Sequence, residues 1–227
     1  MPKVGGMTGS RRYRDRAEAG RVLAAAVRRL GHDAPLVLGL PRGGVPVAAE
    51  IAQATGGDLD VVVVRKLGFP GNPEVAMGAI ASLAGRLVSV RNPEVLAHLG
   101  AGADEAFERA VALEEPELRR RERAYRGDRA PLDVRGRTLV LADDGIATGA
   151  TMRAAAAVVR DRGAVRTLIA APIALGDTPR LLHDAADDLV LPWTSDELMS
   201  VGQAYELFDQ TPDEQVRALL GAVAPRA

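Results

Sequence analysis

The sequence predicts an α/β fold built on a Rossmann-like parallel sheet, and three observations carry that reading. Apolar runs at 36–40, 60–66, 139–142, 165–175 and 188–193, rich in β-branched residues, have the composition of buried strands. Segments at 45–52, 152–159 and 179–185 alternate with them and show helical spacing of their apolar positions. Four or more such strand-helix units in succession imply parallel strands joined by right-handed crossovers. With 227 residues, 47% of them hydrophobic, the chain can bury one core and carry a small appendage.

Taken in order, residues 1–10 are glycine-rich and aperiodic and read as a flexible arm, which leaves 11–227 as a single domain. Asp15 is a candidate N-cap for a helix with apolar positions at 19, 22, 23, 26, 27 and 30, whose arginines read as solvent-facing. The strand at 36–40 stops at Pro41-Arg42-Gly43-Gly44. A glycine pair at a helix entrance aims several backbone N–H groups at one anion, and the Arg42 guanidinium adds a charge with fork geometry. The run at 60–66 ends in Arg65 and Lys66, two cations on the edge where parallel sheets bind ligands. Glycine and proline crowd 67–81, which is too apolar for a linker and reads as a folded active-site loop with Asn72 and Glu74 as candidate substrate contacts. Residues 86–90 and 77–82 suit an antiparallel ribbon, 94–99 a short helix, and 104–126 a helix whose mixed charges pair along its own surface.

The most informative stretch runs from Thr138 to Val159. An apolar strand stops at Asp143 and Asp144, crosses Gly145-Ile146-Ala147-Thr148-Gly149-Ala150-Thr151, and enters an alanine-rich helix. The turn from Ala147 to Thr151 offers backbone N–H groups unobstructed by large side chains, two hydroxyls and the positive end of a helix dipole, which together suit a monophosphate. The two aspartates sit one step earlier. They would repel the same phosphate, but they suit the hydroxyls of a vicinal diol, so phosphate below and diol above describes a ribose 5-phosphate. The kinase-type phosphate loop G-x-x-x-x-G-K-[ST] is absent.

Residues 140–151 resemble the signature of the type I phosphoribosyltransferases, in which two acids and a Thr-Gly-x-Thr loop bind phosphoribosyl pyrophosphate (PRPP). The resemblance implies a parallel sheet of that family's kind, with a flap over about 67–128 and a C-terminal hood over about 191–227. It implies a Mg²⁺-dependent transfer of ribose 5-phosphate to a nitrogenous base, purine-like by preference, with release of pyrophosphate. Asp143, Asp144, Arg65 and Lys66 fall at its catalytic positions, with Asp143 and Asp144 also at the metal. Ala147, Thr148, Gly149, Ala150 and Thr151 fall at the 5-phosphate, and Arg42, Gly43, Gly44, Arg65 and Lys66 at the pyrophosphate. Trp193 and Ile146 fall near the base. Arg119, Arg120, Arg121, Tyr125 and Arg126 fall in the flap, where they are candidates to close over the reaction centre. Pro41-Arg42 stands where small or hydroxyl residues commonly enter the family's pyrophosphate loop, and the hood motif of the purine enzymes is incomplete, which leaves the acceptor open. A PRPP-binding regulator without turnover is the alternative.

Composition narrows the rest. The formal net charge of −1 supplies no general attraction to nucleic acid or anionic membranes. The chain has no cysteine, which removes disulfides and thiolate metal sites, and neither a signal peptide nor a membrane-length apolar run is expected. A cytoplasmic protein, homodimeric by family resemblance, is the expectation.

Overall fold

The computed structural model describes residues 12–222 apart from 33, 84, 85, 128, 130 and 131, so the arm expected over 1–10 lies outside it. Helix α1 (Arg16–Arg28) leads to strand β1 (Leu36–Gly39), helix α2 (Gly44–Thr55) and strand β2 (Asp58–Val61). Strands β3 (Val63–Phe69), β4 (Asn72–Leu83) and β5 (Arg86–Arg91) follow, then α3 (Pro93–Leu96), a 3-10 helix (Ala97–Gly102) and the long α4 (Ala103–Arg126). The chain returns through β6 (Thr138–Ala142), α5 (Ala150–Asp161), β7 (Arg166–Ala170), β8 (Ile173–Leu175), α6 (Thr178–Leu182), β9 (Asp188–Val190) and β10 (Trp193–Ser195). A second 3-10 turn (Val201–Ala204) and α7 (Asp213–Ala222) close it.

Five strands form the expected parallel sheet in the order β2-β1-β6-β7-β9. Alternation along β1 and β6 sends Val37, Val140 and Ala142 to one face, where α2 packs through Val45, Ala48 and Ile51. Leu36, Leu38, Leu139 and Leu141 go to the other, where α5 packs through Met152, Ala155 and Val159. The helices that follow these two neighbouring strands therefore leave to opposite faces. That divergence is a topological switch point, the place where open α/β sheets form a ligand crevice. Gly39 and Ala142 stand in register, so the loops after β1 and β6 emerge level with each other.

Three expected strands are broken in two. The run at 60–66 ends its parallel pairing at Val61, and from Val63 onward the chain pairs antiparallel with β4. Val62 lies between and donates its N–H to the Gly39 carbonyl at 3.2 Å. A β-branched run reports burial and not partner, which is why the composition hid the change of sheet. The run at 165–175 breaks at Ala171 and Pro172, and the run at 188–193 breaks at Leu191 and Pro192, in each case beside a proline that has no N–H to give to a ladder. Beyond the breaks, β8 and β10 pair with each other as a separate two-stranded unit.

The segment read as a loop at 67–81 is the β3–β4 hairpin, and β5 extends it to the antiparallel ribbon that was expected. Helix α4 packs on this sheet through buried Phe107 and Leu118. Arg119, Arg120 and Arg121 pair with Glu115 and Glu117 at 2.6–2.7 Å along the helix surface, as its charge pattern predicts. Arg126 is different: it is buried against Asp60 at 2.8 Å, with side-chain exposures of 5% and 7%, and so belongs to the core and not to a closing surface. Burial pushes the Asp60 carboxyl above its usual range, opposed by Arg126 and Arg129.

Arg126→Met is expected to lower folding stability by about 3–5 kcal/mol, because one partner of a buried ion pair is left behind. A carboxyl raised in the folded state has its full contribution in acid and loses it as pH rises through the folded value. The deficit of the variant in urea unfolding should accordingly be larger at about pH 7 than at about pH 4. A midpoint equal to wild type, or a deficit independent of pH, contradicts this account.

Candidate active site

The site is built where the two level loops meet. Leu40 donates its N–H to the Ala142 carbonyl at 2.9 Å, which carries the pairing of β1 and β6 one step past the strands. The Pro41–Arg42 peptide is cis, and Gly44 opens α2. A Cβ on Gly43 would fall 1.9 Å from Asp144 Oδ2, and one on Gly44 2.5 Å from the Ala142 carbonyl oxygen and 2.8 Å from the Asp143 Cα. At Gly44 the limit is the approach of one backbone to another, and at Gly43 it is the Asp144 carboxylate, which a side chain there would displace.

After the acids, the loop is anchored from below. Ile146 donates to the Ile173 carbonyl and accepts from Leu175, both at 2.9 Å, and the Thr178 hydroxyl donates to the Ala147 carbonyl at 2.7 Å. Gly149 adopts φ 72° and α5 begins at Ala150. Ala147 and Thr148 are exposed at the entrance of that helix, with Ala150 and Thr151 half-buried. With Gly149 buried behind them, Ala147 and Thr148 are the exposed edge of an anchored helix entrance, which suits a phosphate cradle.

Asp143 and Asp144 are both half-buried. Asp143 Oδ1 accepts the Asp144 N–H at 2.9 Å. Burial, and then the neighbouring Asp144 charge, push the Asp143 carboxyl well above its usual range. The Asp144 carboxylate receives Arg16 Nε at 2.8 Å, and the Tyr205 hydroxyl donates to the Asp144 carbonyl at 2.5 Å. Among the described residues no group of three or more His, Cys, Asp or Glu side chains is placed to hold a metal. Two adjacent carboxylates nevertheless fit Mg²⁺, which is commonly held by one or two carboxylates with water and substrate oxygens rather than by a protein cage.

The remaining candidates are spread around this centre. Arg42 reaches Asp213 at the start of α7, at 3.6 Å. Arg65 and Lys66 point to opposite faces of β3: Arg65 Nε pairs with Glu114 of α4 at 2.7 Å, while Lys66 is exposed and lines a cavity of about 900 Å³ together with Ala150 and Arg153. Asn72 opens β4 and is exposed. Ile146 is only 4% exposed and packs in the core on the α5 side. Trp193 is half-buried on β10, its ring centroid 6.0 Å from that of Tyr13.

Tyr13 continues to Tyr205 at 5.7 Å and Tyr205 to Phe208 at 4.9 Å, so four of the seven aromatic residues form one chain that ends beside Asp144. Sequence reasoning missed Arg16, Tyr13 and Tyr205 as members of this site. The scarcity of aromatic residues and their concentration near the two ends was the available signal. Nothing in helical periodicity separates Arg16 from the solvent-facing arginines of α1.

The chain is similar to known proteins over most of its length. The model of the phosphoribosyl transferase domain matches residues 13–191. Proteins of two Mycobacterium tuberculosis strains, provisionally named as phosphoribosyl transferases, are 44% identical over 210 residues, which is 92% of this chain. The chain spans about half the length of these relatives, 46%. The crystal structure of TT1426 from Thermus thermophilus superposes with a TM-score of 0.86 at 43% identity, covering 95% of this chain and 100% of that one. With its signature loop, its switch-point crevice and these relatives in agreement, the chain belongs to the phosphoribosyl transferase domain family.

Proposed function

We propose that this protein transfers the ribose 5-phosphate unit of PRPP to a planar, purine-like nitrogenous base and releases pyrophosphate. The observation that carries the reading is the switch-point junction, where an open helix entrance at 147–151, two carboxylates and a glycine pair converge within one crevice. Each part has a distinct task. The amides and hydroxyls of Ala147, Thr148, Gly149, Ala150 and Thr151 hold the 5-phosphate, remote from the reacting carbon, and so fix the sugar between leaving group and nucleophile. Asp143 and Asp144 accept from the ribose hydroxyls and would hold the metal. A magnesium ion held by these two carboxylates would supply neutralisation of the charge that grows on the leaving group. Arg42 and the Gly43 and Gly44 amides add fixed donors to that charge. Lys66 is free of ion pairs among the described residues, whereas Arg65 must exchange Glu114 for pyrophosphate. Tyr13 and Tyr205 are buried and pack against their aromatic neighbours, so within this chain Trp193 and Phe208 are the rings with surface left to meet a planar acceptor.

Pyrophosphate release from Mg²⁺-PRPP, measured against a panel of purines, pyrimidines, pyridine carboxylates and simple amines, tests the reading. Release with a purine is expected. Calorimetric binding of PRPP without release by any acceptor would instead indicate a sensor, and no binding would remove the proposal. Asp143→Asn combined with Asp144→Asn should abolish Mg²⁺-PRPP binding while unfolding remains cooperative.

Gly43→Ala should weaken PRPP binding tenfold or more, about 1.4 kcal/mol, because its methyl group displaces the Asp144 carboxylate; wild-type affinity in that variant contradicts the geometry. Trp193→Ala should raise the KM of the acceptor more than that of PRPP if the ring borders the base, and unchanged acceptor kinetics would return it to a packing role.

A further inference from the structure

Arg16 stands in the first turn of α1, where a cation opposes the helix dipole, so its place is not explained by helix stability. Its neighbour on the same helix, Arg21, is a half-exposed partner of Glu50. Arg16 is instead only 13% exposed and turned inward onto Asp144, itself 15% exposed. The guanidinium makes three contacts: Nε donates to Asp144 Oδ2 at 2.8 Å, one terminal nitrogen donates to the Asp209 carbonyl at 2.6 Å, and its carbon lies 4.0 Å over the Phe208 ring. Phe208 packs on Tyr205, whose hydroxyl returns to the Asp144 carbonyl. The contacts thus make a closed circuit that leaves Asp144 by its side chain and comes back to it by its backbone. Three backbone bonds join the same two segments: Tyr13 N–H to the Ala204 carbonyl, Glu206 N–H to that of Tyr13, and Leu207 N–H to that of Arg14, at 2.8–2.9 Å.

We infer that Arg16 is a positioning residue of the transfer reaction, holding the Asp144 carboxylate against the Gly43 loop and tying it to the 201–209 segment so that acid and hood move as one unit. This rests on the reading of Asp144 as the ribose-side acid. A lysine cannot reproduce the role in full, because a point charge cannot pair with a carboxylate, donate sideways to a carbonyl and lie flat on a ring at once.

The test combines a ligand-free and a ligand-bound measurement on Arg16→Gln, Arg16→Lys, Asp144→Asn and the Arg16→Gln/Asp144→Asn double variant. Without ligand, hydrogen exchange at 201–209 should accelerate in Arg16→Gln and in Asp144→Asn, and the double variant should exchange no faster than the faster single one. With ligand, calorimetry should find Mg²⁺-PRPP binding weakened about 10- to 100-fold in Arg16→Gln and partly restored in Arg16→Lys. In a further variant, Arg16→Ala, added guanidinium should improve Mg²⁺-PRPP binding, and it should leave wild type unchanged. A lowered Tm with wild-type affinity would make Arg16 merely structural, and tighter binding in Arg16→Gln would make it a blocking counter-ion; either overturns the inference. Additive exchange in the double variant overturns it as well. If wild type binds no PRPP, the functional reading fails, while the ligand-free cycle still decides whether Arg16 couples Asp144 to the hood.

Discussion

Two loops meet at the ends of β1 and β6 with no space for a side chain between them. A methyl group on Gly43 would lie 1.9 Å from the Asp144 carboxylate, and one on Gly44 would strike the backbone of Ala142 and Asp143. This contact depends on the parallel register that sets Gly39 level with Ala142. It depends equally on α2 and α5 leaving to opposite faces, since two helices on one face would compete for the space above the strands. The sheet order, the glycine pair and the two acids are therefore parts of one geometric requirement: to bring an anion-binding turn and a pair of carboxylates to the same crevice from two neighbouring strands.

That arrangement creates an electrostatic problem. Asp143 and Asp144 are adjacent and partly withdrawn from water, and burial with mutual repulsion pushes the Asp143 carboxyl up. Arg16 relieves part of the repulsion by pairing with Asp144, and it arrives from the helix that packs farthest from the signature loop in sequence. The crevice is consequently bounded by residues from the beginning, the middle and the end of the described chain. Tyr13 and Tyr205 form a parallel bridge that ties the first of these to the last.

How much of this was legible follows from the range of each interaction. The strand, the acids and the helix entrance at 138–151 are contiguous, so local pattern was enough to place them and to suggest what they bind. The helix N-cap at Asp15 and the surface ion pairs of α4 are also local, and both are present. Strand breaks were hidden because buried β-branched runs look alike in a parallel and an antiparallel sheet, although Pro172 and Pro192 mark two of the three. The contact of Arg16 with Asp144 spans 128 positions, and that of Tyr205 with Asp144 spans 61. No spacing rule reaches so far. Arg65 and Lys66, adjacent in sequence, were taken together as cations, but the alternation of a strand separates them to opposite faces.

The most direct test of the account is a crystal structure with ribose 5-phosphate bound, which needs neither turnover nor an identified acceptor. The account predicts the phosphate on the amides of residues 147–151 and the two ring hydroxyls directed to Asp143 and Asp144. A sugar phosphate seated elsewhere, or bound at 147–151 with its hydroxyls turned away from both acids, would contradict it.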